Sequence, residues 1–156
     1  MSIGNPQCAI RVESQEALEA LDLGRIGPAI EGDARFPNRT NVSWYTEIDA
    51  GAGAGGAGGG EGGLGDEPSR IRARIFERGV GETLSSGTGA TGAAVAYALE
   101  RGAPAEDGAR VIVVLDGGEL EVEVGGDLRV HLTGWARPVF AGRLSDDFVK
   151  ELHETE

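Results

Sequence analysis

Residues 76–100 read FERGVGETLSSGTGATGAAVAYALE, and this order predicts a strand, a glycine-rich turn and then a helix. The hydroxyl groups of Ser85, Ser86 and Thr88 can each accept a hydrogen bond from the free N–H groups of a first helical turn, so the helix is predicted to start near Gly87. Those N–H groups carry the positive end of the helix dipole, and glycine lets an anion approach the backbone closely. The turn is therefore a candidate binding site for a carboxylate or a phosphate.

The predicted helix has small apolar side chains on nearly every side, at Ala90, Ala93, Ala94, Val95, Ala96 and Ala98. A helix that is apolar all round is normally enclosed by other structure. Gly102 supplies a glycine just past the predicted helix end. We expect strands to wrap this helix, with its N-terminus opening toward a ligand.

Length and composition limit the classes of protein to which the chain can belong. The chain has 156 residues, which suits a single domain spanning residues 1–156. Its formal net charge of −12 argues against a nucleic-acid partner, because such a partner needs a basic surface. The single cysteine, Cys8, excludes an intrachain disulfide and fits a reducing compartment. With no long apolar run and no signal-peptide pattern, the sequence predicts a cytoplasmic protein without a membrane partner.

The rest of the chain predicts mostly strands. Further strands are expected at residues 8–12, 42–48, 71–76, 111–115, 120–124, 128–132 and 139–141. Short helices are expected after Ser14, from Pro28, and after Ser145, the last carrying Phe148, Val149 and Leu152. Residues 51–66 are mostly glycine and predict a flexible insertion between two strands. This order predicts an α+β fold in which a mostly antiparallel, β-barrel-like sheet wraps around a central buried helix.

Other sequence features are typical of nucleotide, metal or thiol chemistry. Gly87, Gly89 and Gly92 match the dinucleotide-binding spacing, with Asp116 at a later strand end, but charged residues in the preceding strand and the following hairpins disfavour that hypothesis. His131 and His153 stand far from each other in sequence, so no metal site is predicted. Cys8 is expected to be a small buried side chain, with a reactive thiol as the alternative. The glutamates at 119, 121 and 123 are expected to face solvent.

Three blocks together resemble the C-terminal half of diaminopimelate epimerase. They are GNPQC at residues 4–8, FPNRTNV at 36–42 and ERGVGETLSSGTGA at 77–90, in the family's order and approximate spacing. The resemblance covers nearly the whole chain, apart from the glycine-rich insertion, but only half of the family protein.

The resemblance implies a fold and a reaction. In that family two similar domains, each a barrel-like sheet around a central helix, face each other across a cleft. One cysteine from each domain removes or returns the α-proton of diaminopimelate, without a cofactor. The resemblance further implies roles for six residues here. Asn5 and Asn41 would hydrogen-bond the substrate, Glu77 and Arg78 would line its site, and the N–H groups of Gly87 and Thr88 would bind the reacting carboxylate.

The chain departs from the family pattern where the chemistry takes place. The family's cysteine is Ser86 here, and the histidine of its Gly-Asn-Pro-His block is Gln7. A serine hydroxyl needs a strong adjacent base, and Glu77 is the only nearby candidate. Because inversion needs groups on both sides of the α-carbon, the chain alone is expected to be inactive.

Three hypotheses follow for the chain. It is one domain of an epimerase-like isomerase of lysine and peptidoglycan precursor biosynthesis, completed by a second polypeptide, a longer parent or a homodimer. Alternatively, it is a noncatalytic amino-acid-binding or scaffolding module of the same fold. A purely structural role is the third alternative, weakened because so many of the family's binding residues are kept. An exposed cleft face is expected to drive self-association where the missing N-terminal domain is not supplied.

Overall fold

The computed structural model describes residues 1, 3–49, 68–102 and 108–154, apart from the side chain of His153. The predicted glycine-rich insertion at residues 51–66 lies outside the described residues. The strands in the described part are β1 (Gln7–Arg11), β2 (Asn41–Glu47), β3 (Ser69–Glu77), β4 (Gly81–Thr83), β5 (Ala109–Leu115), β6 (Gly118–Val124) and β7 (Val130–Thr133). The helices there are α1 (Gln15–Glu19), α2 (Leu23–Glu31), α3 (Gly87–Glu100) and α4 (Asp146–His153).

The strands form one mixed sheet. Its path runs β1-β2-β3-β5-β6-β7, and β4 pairs with β3 beside that path. The pairs β1–β2 and β3–β5 are parallel, whereas the other described pairs are antiparallel. Parallel neighbours need a crossover connection, and helices lie in the connections between these pairs. The α+β class is therefore confirmed, whereas the sheet path in the described part is open and its barrel-like closure stays a prediction.

Helix α3 has the predicted bounds. Ser86 is its N-cap, with extended backbone and a hydroxyl that accepts a hydrogen bond from the Gly89 N–H. At its other end the Gly102 N–H donates to the Leu99 carbonyl, and Gly102 has φ +77°, a conformation that glycine adopts at little cost. Most residues of α3 are buried, and the helix contacts β1, β2, β3, β5, β6 and β7. Its small side chains let the sheet approach closely.

The central strand β3 is covered on both faces. Ile71, Ala73 and Ile75 are fully buried in the cluster that includes α3, as their alternation predicted. Phe76 faces the other way and packs with Leu18 of α1 and Leu23 of α2. The alternation in the sequence predicted a buried side on only one face of β3, so the second layer is a finding of the structure.

Helix α2 corrects the prediction that a helix begins at Pro28. The helix starts at Leu23, because the Asp22 side chain caps it by accepting the Arg25 N–H at 3.1 Å and because Leu23 is buried. Pro28 is exposed inside the helix. Proline at the first helical position is a statistical preference, and the stronger cap upstream decides the start.

Two further differences concern strands. Residues 139–141 are not a strand: Val139 and Phe140 are 90% and 89% exposed, and they have no ladder partner in the described chain. Strand propensity reflects packing on a sheet surface, and no such surface lies against them. Conversely, β4 lies where a plain turn was predicted, pairing Glu77 with Gly81 and Ile75 with Thr83.

The C-terminal helix α4 has the predicted cap. The Ser145 hydroxyl accepts a hydrogen bond from the Phe148 N–H at 3.3 Å. The apolar residues that were expected on this helix, Phe148, Val149 and Leu152, are all exposed. This segment adds no buried core to the described domain.

Candidate functional site

The first turn of α3 presents free backbone donors. The Gly89 N–H donates to the Ser86 hydroxyl at 3.2 Å and the Ala90 N–H donates to the Ser86 carbonyl at 2.9 Å. The N–H groups of Gly87 and Thr88 precede the first intrahelical bonds, and neither has a hydrogen-bond acceptor within the described residues. Two donors at the positive end of a helix dipole make a geometry that suits a carboxylate.

A chain of amide side chains leads to this turn. Gln7 donates from Nε2 to Asn5 Oδ1 at 2.8 Å, and Asn5 donates from Nδ2 to Thr88 Oγ1 at 3.5 Å. Gln7 is only 3% exposed and packs beside Gly92 of α3. Its Oε1 is buried and has no hydrogen-bond partner in the part of the chain that the structure describes. The structure thus brings together three of the predicted site residues: Asn5, Gln7 and Thr88.

The strand register brings the other predicted residues to the same end of the sheet. Gln7 of β1 pairs with Asn41 of β2, and Val42 pairs with Phe76 of β3, which immediately precedes Glu77. Glu77 is half-buried, and its Oε1 accepts a hydrogen bond from the Thr83 hydroxyl at 2.9 Å. Neighbouring strand ends therefore carry Gln7, Asn41 and Glu77.

The loop after β3 is tied to the loop before β2. Asn41 Oδ1 accepts the Arg78 N–H at 2.8 Å, and Arg78 Nη1 donates to the Asn38 carbonyl at 2.6 Å. The carbonyl oxygen of the Asn41 side chain is thus used within the chain, although the family resemblance implies that this side chain hydrogen-bonds a substrate. Both residues still lie at the edge of the same site.

Ser86 is held as a helix cap. It is buried, and its hydroxyl oxygen accepts the Gly89 N–H. No carboxylate or imidazole of the described residues is hydrogen-bonded to that hydroxyl. Without such a base, a serine hydroxyl is a poor proton acceptor.

Cys8 lies on the face of β1 opposite to Gln7, and it is half-buried, not fully buried as the sequence predicted. It packs against the cluster beneath α1 and α2, whereas the neighbouring Ala9 packs against the cluster of α3. Burial raises the pKa of the Cys8 thiol, although the N-terminal ammonium group and Arg35 oppose that rise. The thiolate fraction is therefore lowered, which agrees with a packing role.

Asp116 is committed to an ion pair. Its carboxylate binds Arg72, a buried guanidinium that also binds Glu19 and the carbonyls of Ala73 and Val114. An antiparallel hairpin of β3 and β4 precedes the glycine spacing of α3. Dinucleotide sites have a buried parallel strand at that point, so the geometry disfavours the nucleotide hypothesis.

The remaining features concern metal binding and membrane spanning. His131 is exposed, and within residues 1, 3–49, 68–102 and 108–154 no cluster of His, Cys, Asp or Glu could hold a metal ion. None of the helices described is both long and apolar enough to cross a bilayer.

Glu31 is a residue of this region that sequence reasoning missed. Its buried carboxylate binds Arg39 and accepts the Gly79 N–H, so it contacts both loops of the site. The sequence feature that could have identified Glu31 is its position at the end of a helix, just before Gly32. A negative charge there opposes the helix dipole and needs a compensating partner.

Comparisons with known proteins agree on one family. The family model described as diaminopimelate epimerase matches residues 1–138. Curated relatives carrying the name diaminopimelate epimerase include those of Synechococcus sp. (strain JA-3-3Ab), 39% identical over 94% of this chain, and Desulfitobacterium hafniense, 37% identical over 94%. A third, from Magnetococcus marinus, is 38% identical over 92% of the chain. The chain spans 44%, 43% and 43% of these relatives' own lengths, respectively.

Proposed function

The chain belongs to the diaminopimelate epimerase family, and we propose that it is a domain of a cofactor-independent amino-acid epimerase or racemase. The reaction proposed is removal of the proton next to the α-carboxylate of diaminopimelate, an intermediate of lysine and peptidoglycan precursor biosynthesis. We further propose that residues 1–156 act as one domain in the cytoplasm. By itself this domain is inactive, because inversion also needs a group on the opposite face of the α-carbon.

One observation carries this proposal: at the start of a largely buried helix, the N–H groups of Gly87 and Thr88 have no acceptor among the residues that the structure describes. When the α-proton leaves, negative charge develops on the carboxylate that is attached to the α-carbon. Backbone donors fixed by a helix stabilise that charge without having to reorganise. Asn5, next to Thr88, and Asn41, at the end of β2, supply further polar groups for the same amino acid.

The proton itself must pass to a group on this domain or on the facing one. Ser86 stands where the family has a cysteine and Gln7 where it has a histidine. Glu77 and Arg78 line the proposed site, and the Glu77 carboxylate is the group on this domain that we propose accepts the proton. The base takes the α-proton from one face, and an acid on the opposite face returns one.

We also propose the family's finer architecture for this domain. The contacts of α3 with six of the seven described strands support a sheet that curls around a central helix. Closure toward a barrel would leave the first turn of α3 open at one end, where a ligand can enter.

The Glu77 carboxylate is the group to test. In deuterated water, we expect the chain together with the complementary part of the Synechococcus relative to exchange the α-proton of diaminopimelate. Glu77→Gln is expected to lower the exchange rate by about 100-fold, because a general base contributes at least that factor. Deuterium uptake followed by proton NMR measures the rate.

Glu82→Gln is the matched control. Glu82 lies in the adjoining strand β4 and pairs with Arg74, so its loss removes a similar charge without touching the proposed base. Equal exchange rates for the two variants would contradict the role of Glu77.

A noncatalytic amino-acid-binding module is the alternative, and the commitment of the Ser86 hydroxyl to the helix cap favours it. This module would bind diaminopimelate at the first turn of α3 and leave its α-proton in place. Binding with no exchange, by the chain alone and with its complement, would support the module over the isomerase.

The partner is proposed to be a complementary domain, or a second copy of this chain, that covers the cleft face. Val80 and Leu84 are exposed beside the site loops, and such side chains favour burial in an interface. The chain alone is expected to self-associate with rising concentration in sedimentation equilibrium. A monomer at every concentration would exclude the second copy as the partner.

A further inference from the structure

Glu31 is a buried carboxylate that joins two loops. It is the last residue of α2 and is only 4% exposed. Its Oε1 lies 2.6 Å from Arg39 Nη2 and accepts the Gly79 N–H at 2.8 Å. Arg39 belongs to the loop before β2, and Gly79 belongs to the turn between β3 and β4.

The position of this carboxylate is unfavourable in two ways. A negative charge at the C-terminal end of a helix meets the negative end of the helix dipole. Burial also removes the water that would otherwise solvate the charge. The contacts with Arg39 and Gly79 therefore have to offset both costs. Because one carboxylate makes both contacts, it joins the two loops to each other.

The two loops carry residues of the proposed ligand site. Asn41 lies two positions after Arg39, and Arg78 lies directly before Gly79. Arg39 and Gly79 both have left-handed backbone, with φ of +58° and +77°. A left-handed conformation at a residue other than glycine persists only where the surrounding contacts hold it. For Arg39, Glu31 supplies such a contact through the guanidinium group.

We propose that Glu31 is a positioning residue, which fixes the loop before β2 against the β3–β4 turn so that both can contact one amino-acid ligand. The inference rests on the proposed function for the identity of that ligand. Glu31 itself does not touch the ligand and takes no part in proton transfer.

The test compares Glu31→Gln with the chain itself. Glutamine keeps the size of the side chain and one oxygen for the Gly79 N–H, but it loses the charge that holds Arg39. We expect the Kd for meso-diaminopimelate, measured by NMR titration at neutral pH, to rise about tenfold. We also expect faster hydrogen exchange at the Gly79 amide.

Glu47→Gln is the matched control. Glu47 also has one arginine partner, Arg101, and one hydrogen-bond donor, Tyr97 at 2.8 Å. It lies at the far end of β2, about 20 Å from Asn41 at the usual rise per strand residue. Because the Glu47–Arg101 pair is exposed, this variant is expected to lose no more stability in urea unfolding than Glu31→Gln does, while its Kd stays within twofold of the unchanged chain.

Arg39→Gln tests the same contact from its other partner. We expect it to raise the Kd as much as Glu31→Gln does, and the double variant to add little beyond either single change.

The outcomes separate this inference from the proposed function. If the unchanged chain binds diaminopimelate and Glu31→Gln binds it equally well, the positioning role is wrong. If the unchanged chain binds diaminopimelate neither alone nor with its complement, the proposed ligand is wrong, and hydrogen exchange at the Gly79 amide decides the role of Glu31. Faster hydrogen exchange at the Gly79 amide in Glu31→Gln, but not in Glu47→Gln, would then support the positioning role of Glu31. Unchanged hydrogen exchange at this amide would contradict that role.

Discussion

Replacing Ser86 with cysteine is expected to raise the rate of α-proton exchange on diaminopimelate, measured with the complementary part of the Synechococcus relative present, by about 100-fold or more. A positioned general base contributes about 10²–10⁴-fold to a proton transfer. The serine hydroxyl cannot supply that contribution without a base hydrogen-bonded to it, and none of the described residues offers one to Ser86. Glu77, the base proposed for the unchanged chain, is a carboxylate, and a carboxylate is a weaker base than a thiolate. A thiol at this position becomes its own base once it ionises.

The place of Ser86 in the fold favours that ionisation. As N-cap of α3, the side chain faces the N–H groups of the first helical turn. The positive end of a helix dipole lowers the pKa of a thiol from its usual value of about 8.5. The exchange rate of Ser86→Cys should therefore rise with pH through the thiol pKa, which the pH dependence of alkylation by iodoacetamide measures separately.

Ser85→Cys is the matched control, because Ser85 precedes the cap and is exposed. It adds a thiol to the same turn without placing it at the helix start. Equal exchange by both cysteine variants would indicate a nonspecific thiol effect. No exchange by Ser86→Cys, with its ligand bound, would favour the noncatalytic module.

Local signals explain which parts of the fold could be predicted from sequence. The start and end of α3 follow from a hydroxyl cap at Ser86 and a left-handed glycine at Gly102, both of which act within a few residues. The buried side of β3 follows from the alternation of Ile71, Ala73 and Ile75. The free amides of the first turn of α3 follow from helix geometry alone.

The parts that sequence did not predict depend on distant contacts. Strand β4 has three residues and exists because β3 lies beside it. The parallel pairing of β1 with β2 depends on the crossover between them. The role of Glu31 depends on its contacts with Arg39 and Gly79, which belong to two different loops. A single glutamate at a helix end does not indicate such contacts in the sequence.

Gly89→Ala is expected to destabilise the domain by about 1–3 kcal/mol, the usual cost of overpacking a core. A Cβ atom at Gly89 would lie 2.7 Å from Ile75 Cδ1 and 2.8 Å from Ile75 Cγ2. Ile75 is fully buried in β3 and cannot move away without disturbing the core around it. The helix would have to shift, which would also displace the N–H groups of Gly87 and Thr88.

Gly24→Ala separates this clash from the general effect of adding a methyl group to a helix. Gly24 lies near the start of α2, as Gly89 does in α3, but a Cβ there would meet only Asp22 Oδ1 at an ordinary 3.5 Å. Since alanine favours a helix over glycine by about 1 kcal/mol, Gly24→Ala should be at least as stable as the unchanged chain in urea unfolding. If Gly89→Ala unfolds at the same urea concentration as Gly24→Ala, then Gly89 of α3 does not lie as close to Ile75 of β3 as it does in the structure. The fixed position of the first-turn amides, on which carboxylate binding depends, would then lose its physical basis.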